Sequence, residues 1–114
     1  MDKLAVLFEE QKKFMEHLKI YYPVDLHTFE GQNKIREIVF WMVNEAFEMC
    51  EWMQYKPWRK NPPEFNENKF KEEVADILHF FLELCIMCDI DDEYLFELYN
   101  KKLEKNYKRQ EEDY

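Results

Sequence analysis

The sequence predicts an all-α protein with one domain, and three observations support this fold class. A chain of 114 residues is long enough to bury one hydrophobic core but not two, so residues 1–114 are expected to form a single domain. It contains only one Gly and four Pro, which leaves few positions for turns. Its apolar residues recur at helical spacing. We therefore expect a small up-and-down four-helix bundle.

The first predicted helix runs from about Asp2 to Tyr21. It stops before Pro23, because a proline disfavours helical geometry in the residue ahead of it. Gln11 falls within its apolar stripe. A carboxamide in that position needs partners, since burying it unpaired costs about 1–3 kcal/mol. Gln11 is therefore either a core-edge residue bonded to the backbone or a group that contacts the edge of a nucleobase.

The second predicted helix begins after "HTFEGQ" and continues to about Gln54, where the Pro-rich stretch "KPWRKNPPEFNEN" follows after Tyr55. Trp41 and Trp52 bracket a narrow polar stripe on this otherwise apolar helix. Each Trp lies four residues from a Glu, hence one turn away on the same face. A stripe that only faced water would have little reason to carry two tryptophans, so this face resembles the wall of a pocket. The stripe consists of Asn44, Glu45, Glu48 and Glu51.

The third predicted helix runs from about Glu67 to Met87 and becomes almost entirely apolar after Val74. Polar residues nevertheless continue along one side of it, at helical spacing. Both middle helices are thus expected to be mostly buried while each keeps one edge for carboxylates. The polar edge of the third consists of Glu72 or Glu73, then Asp76, His79 and Glu83.

The fourth predicted helix follows the turn "CDIDDEY", in which Asp91 or Asp92 can cap its start, and it continues to about Gln110. Four of its side chains follow spacings of three, four and three, which stacks them on one face. Positive charge near a helix C-terminus is favoured by the helix dipole alone, but the same face is suited to bind phosphate. The four are Tyr99, Lys102, Asn106 and Arg109.

The most informative pattern is a pair of carboxylate motifs, Glu45-x-x-Glu48 on one helix and Glu73-x-x-Asp76 on the next. Each spacing puts two carboxylates one turn apart. If the helices are neighbours, four negative charges converge, and a hard divalent cation such as Mg²⁺ or Mn²⁺ is needed to neutralise them. The alternative is that both helices are ordinary amphipathic helices whose polar edges face water.

Charge and composition exclude several functional classes. The net charge of −9 disfavours binding to nucleic acid or to an anionic membrane surface. No apolar run is long enough for a membrane span and no leader segment is evident, so a cytoplasmic location is expected. The three cysteines, an odd number, are expected to be small apolar residues rather than a disulfide or zinc framework. A di-iron bundle would need a second motif like Asp76-x-x-His79, and none is present.

These motifs resemble a known family. "NEAFE", followed 25 positions after its last Glu by "EVAD", is similar to the Glu-x-x-Glu and Glu-x-x-Asp signature of the all-α nucleoside triphosphate pyrophosphohydrolases, which include MazG-type enzymes and dimeric dUTPases. "YKPW", "DILHFF" and the closing "YNKKLEKNYKRQEEDY" look most like the dimeric dUTPases. The resemblance extends from Gln11 to Tyr114.

The resemblance implies a role for each matching residue. The metal ligands would be Glu45, Glu48, Glu73 and Asp76, with Glu45 or Glu48 also helping to deprotonate the attacking water. His79 would support the site without binding the metal. The phosphates would be held by Lys102, Arg109 and Lys56, and the nucleoside by Asn106, Tyr114 and Gln11.

The chain is shorter than the dUTPases it resembles, because only "CIMCDIDDEYLFEL" separates the metal motifs from the closing motif. We therefore expect a site at a subunit interface in a homodimer, with a tetramer as the alternative. The predicted activity is Mg²⁺-dependent hydrolysis of dUTP to dUMP and pyrophosphate. Two alternatives remain open, a MazG-like pyrophosphohydrolase of broad specificity and a helical interaction module without catalysis.

Overall fold

The computed structural model describes residues 2–53 and 56–112, and over these ranges the chain forms four α-helices and no β-strand. The all-α prediction is confirmed. The helices are α1 (Lys3–His17), α2 (Phe29–Glu51), α3 (Glu67–Met87) and α4 (Asp92–Glu111).

Each helix begins at a side chain that caps its first turn. Asp2, Thr28, Asn66 and Asp91 each accept a hydrogen bond from the backbone N–H three residues later. Such a cap satisfies one of the amide groups that the first turn of a helix leaves without a partner. Asp91, rather than Asp92, is therefore the cap of α4.

The two largest differences from the predicted boundaries lie at the end of α1 and the start of α2. Helix α1 ends at His17 rather than near Tyr21, because Lys19 adopts a left-handed conformation with φ of 59°. Helix α2 begins at Phe29, before the glycine that suggested a later start, because Thr28 caps it. Gly31 is buried there, and a Cβ at this position would overlap the carbonyl oxygen of Asp25. The glycine thus permits close packing of the preceding loop instead of delaying the helix.

Helix α3 is the centre of the fold, since it packs along α2 and also against α1. The chain returns from α2 to α3 with the amide of Asn66 bonded to the carbonyl of Trp52, which makes these helices antiparallel neighbours. At the other end, the Val24 amide bonds to the Met87 carbonyl and fixes the α1–α2 connection to the end of α3. The buried apolar core consists of Phe8, Met15, Ile38, Leu82, Cys85, Ile86 and Met87.

Helix α4 packs differently from the other three. Leu95, in its first turn, contacts the core, and the helix meets α1. Every residue from Phe96 to Glu112 is exposed, so most of α4 extends away from the rest of the chain. No helix within the described residues is long and apolar enough to cross a membrane.

Candidate active site

The antiparallel pairing of α2 and α3 brings carboxylates from the two helices together. Glu45 lies near the end of α2, and Glu73 and Asp76 lie near the start of α3. Each of the three offers a carboxylate oxygen, and the three oxygens lie within 4.8 Å of one another. These are three of the four carboxylates whose convergence the two sequence motifs predict.

The carboxylates of this cluster repel one another, and among the described residues no positive charge offsets that repulsion. A hydrogen bond with the Glu73 side chain, followed by burial and by the charges of Glu48, Glu73 and Asp76, raises the pKa of Glu45 to about 7. Oxygen Oε2 of Glu73 is buried and has no hydrogen-bond partner among the described residues. An unpaired acceptor in an all-oxygen cluster fits a hard divalent cation, which would supply the missing charge.

Glu48, the fourth predicted ligand, lies beside the cluster rather than within it. Its side chain is exposed, and its Oε1 accepts a hydrogen bond of 3.2 Å from Nδ2 of Asn44. Its charge contributes to the raised pKa of Glu45, so the two side chains are close. Its role as a ligand stays a prediction.

A pocket of about 450 Å³ opens beside the cluster. It combines the acidic residues with amide, imidazole and aromatic groups, the combination suited to a ligand that has both a charged and a planar part. The ring of Trp41 lies 6.1 Å from that of Phe80, so one of the two bracketing tryptophans supports the pocket wall. The pocket is lined by Gln11, Phe14, Glu45, Asp76, His79, Phe80 and Glu83.

Gln11 and His79, which both line this pocket, connect α1 to α3. Gln11 is buried, and its Oε1 lies 3.0 Å from Nδ1 of His79. Because an amide oxygen only accepts hydrogen bonds, His79 donates from Nδ1–H. His79 thus orients Gln11, and the Gln11 amide nitrogen takes no part in this hydrogen bond.

Glu83 also lines the site, although its place on the polar edge of the predicted third helix does not by itself indicate a role. It is buried, lines the pocket, and has its pKa raised by burial. The signal was present in the sequence, since Glu83 follows His79 by four residues and Asp76 by seven, which keeps all three on one face.

The structure does not bring the predicted phosphate-binding residues, or the predicted nucleoside-binding residue Asn106, to this pocket. Lys102, Asn106 and Arg109 lie on the exposed part of α4, and Lys56 lies in the α2–α3 connection. None of the four lines the pocket. Tyr114 lies outside the described residues.

A family model described as dUTPase matches residues 3–94. The matched segment includes Gln11, the three clustered carboxylates and His79, and it ends in the first turn of α4. No curated protein and no solved structure matches the chain.

Proposed function

The chain belongs to the dUTPase family, and we propose that it is a Mg²⁺-dependent pyrophosphohydrolase that converts dUTP to dUMP and pyrophosphate. One observation carries the proposal beyond family membership. The carboxylate cluster, which is deficient in positive charge, opens into a pocket that also holds an oriented amide and two phenylalanine rings. A nucleotide needs both environments side by side, a cation site for its phosphates and an apolar pocket with a hydrogen-bonding group for its base.

The residues that would hold Mg²⁺ are Glu45, Glu73 and Asp76, with Glu48 completing the set from one turn away. All four offer oxygen atoms, which Mg²⁺ prefers. When bound, the cation supplies the positive charge that neutralises phosphate oxygens as the bond to pyrophosphate breaks.

The side chains around the pocket act on different parts of the reaction, some on the attacking water and others on the base. Glu45 or Glu48 accepts the proton of the attacking water at a carboxylate oxygen, and the carboxylate is the form that does so. Phe14 and Phe80 offer apolar surface to the base and help to exclude water. Gln11, held by His79, offers its amide to the polar edge of the base.

A second copy of the chain would complete the site. The radius of gyration is 17.7 Å, whereas a compact domain of this length has about 13 Å. Large apolar side chains are exposed on α2 and α4, including Phe47 at 68% and Phe96 at 63%. In a homodimer, with a tetramer as the alternative, the exposed part of α4 would bring Lys102 and Arg109 to the phosphates and Asn106 to the nucleoside.

Pyrophosphate release from a panel of nucleotides tests the proposed activity. The purified protein is incubated with dUTP, dCTP, dTTP, dATP, dGTP and UTP, with Mg²⁺ and with EDTA. We expect release from dUTP that requires Mg²⁺. Similar release from several nucleotides would instead assign the chain a broad specificity, and no release from any of them would contradict the proposal.

A further inference from the structure

Glu83 is a buried residue whose carboxylate has no partner within the part of the chain that the structure describes. The residue as a whole is only 8% exposed to solvent. No hydrogen bond or ion pair joins it to any residue in the described ranges 2–53 and 56–112. Its oxygens are nevertheless not sealed in the core, since Glu83 lines the pocket. Because these oxygens remain accessible from the pocket and have no partner among the described residues, they are available to accept a hydrogen bond from a bound ligand.

The position of Glu83 along α3 indicates which part of a nucleotide it meets. Helical rise places it about 10 Å beyond Asp76 and about 6 Å beyond His79, on the same face. The metal cluster therefore lies towards one end of the pocket and Glu83 towards the other. A nucleotide whose phosphates lie at the cluster extends its base towards Glu83. Glu83 does not belong to the group of carboxylates that converge as a metal site.

Gln11 offers the complementary chemistry in the same pocket. Its amide oxygen is occupied by the donor Nδ1–H of His79, so its NH₂ group is the part left for a ligand. A donor from Gln11 beside an acceptor from Glu83 matches an edge that presents a carbonyl next to an N–H. Uracil presents such an edge, with N3–H between two carbonyl oxygens.

We propose that Glu83 is a specificity-determining residue whose carboxyl oxygen accepts a hydrogen bond from N3–H of the uracil, while the Gln11 amide donates to a neighbouring carbonyl oxygen of the base. This inference rests on the proposed hydrolysis of dUTP. It assigns a task to a residue that neither the metal chemistry nor the apolar core uses.

The test compares dUTP with N3-methyl-dUTP, which lacks the N3–H donor. The protein and the variants Glu83→Leu and Glu83→Gln are assayed for kcat/KM on both substrates. Leucine removes the acceptor while filling most of the space, and glutamine keeps an acceptor oxygen. The matched control is Glu72→Leu, on the exposed side of the same helix.

We expect the unaltered protein and Glu72→Leu to prefer dUTP over its N3-methyl analogue by tenfold or more, as a buried unpaired acceptor implies. Glu83→Leu should reduce that preference to within about threefold of unity, and Glu83→Gln should retain most of it. A purely structural role for Glu83 would lower both activities together and leave their ratio unchanged.

The outcomes separate this inference from the proposed function. If the unaltered protein hydrolyses dUTP but does not discriminate against the N3-methyl analogue, the inference is overturned even if a variant fails to fold. An unchanged preference in Glu83→Leu would overturn it as well. If the unaltered protein releases no pyrophosphate from dUTP, the proposed function itself has failed.

Discussion

At the scale of single residues, the chain gives up stability to build its pocket. Among the described residues, the carboxylates of Glu45, Glu73 and Asp76 converge without an ion pair to a basic side chain, and Glu83 is buried without a partner. Each arrangement opposes folding, because like charges repel and burial penalises the ionised form. Substitutions that remove these charges should therefore stabilise the protein while they harm the proposed activity.

Metal binding gives the first prediction at this scale. Adding Mg²⁺ should raise the free energy of unfolding, by about 2.7 kcal/mol when the cation is a hundredfold above its Kd. Asp76→Asn should lose most of that increase, because it removes a charged ligand. Thermal unfolding with Mg²⁺ and with EDTA measures the effect, and Glu72→Gln, with an exposed side chain, is the control. An equal Mg²⁺ response in both variants would mean that the cluster does not bind the cation.

Glu83 gives a pH-dependent prediction. Its pKa is raised by burial in the folded state, so between the unfolded value of about 4.3 and that higher value the folded protein binds more protons. Its contribution to stability is present at low pH and is lost as the pH rises through this interval. Glu83→Gln does not titrate, so its stability relative to the unaltered protein should increase from pH 4 towards neutral pH. Urea unfolding in EDTA measures this difference, and a difference independent of pH would contradict the account.

At the scale of secondary-structure elements, much of the fold was predictable because the chain marks its helices with local signals. The bounds of α3 agree with those expected from apolar periodicity and the Pro-rich stretch before it. The start of α2 was predicted too late, since Gly31 was read as part of the connection. Its actual role depends on contact with Asp25, and no local pattern reports a tertiary contact of that kind.

Gly31 therefore gives a prediction about α2. Gly31→Ala should destabilise the protein by about 1–3 kcal/mol, because its methyl group would overlap the Asp25 carbonyl and displace the loop before α2. Helix propensity alone predicts the opposite result, because replacing glycine by alanine usually stabilises an exposed helix. Urea unfolding checks it, with Asn33→Ala on the exposed face as the control. A Gly31→Ala variant as stable as the unaltered protein would show that the loop moves without cost.

At the scale of the whole molecule, the single chain has an acidic pocket formed by α1, α2 and α3 and a largely separate, exposed α4. The sequence predicted the convergence of Glu45 with Glu73 and Asp76, since two motifs on neighbouring helices determine it. It could not assign Lys102, Asn106 and Arg109 to a pocket, because their spacing defines a helix face and not what that face contacts.

The proposed homodimer leads to a prediction at this scale. Leu103→Glu places a charge on the exposed apolar side of α4 and should shift the protein towards the monomer, with a loss of dUTP hydrolysis of tenfold or more. Lys105→Glu, also exposed on α4, is the control for charge. Sedimentation or light scattering gives the mass of each. A monomeric unaltered protein with full activity would contradict the interface.

The proposed active site consists of carboxylates of α2 and α3 that would hold Mg²⁺ during the hydrolysis of dUTP. The most direct measurement is pyrophosphate release from dUTP by the unaltered protein and by Glu48→Gln, with and without Mg²⁺. We expect release that requires Mg²⁺ and that falls by about a hundredfold or more in Glu48→Gln, while the thermal stability of the two proteins stays similar. Equal release by both proteins, or release that does not depend on Mg²⁺, would contradict it.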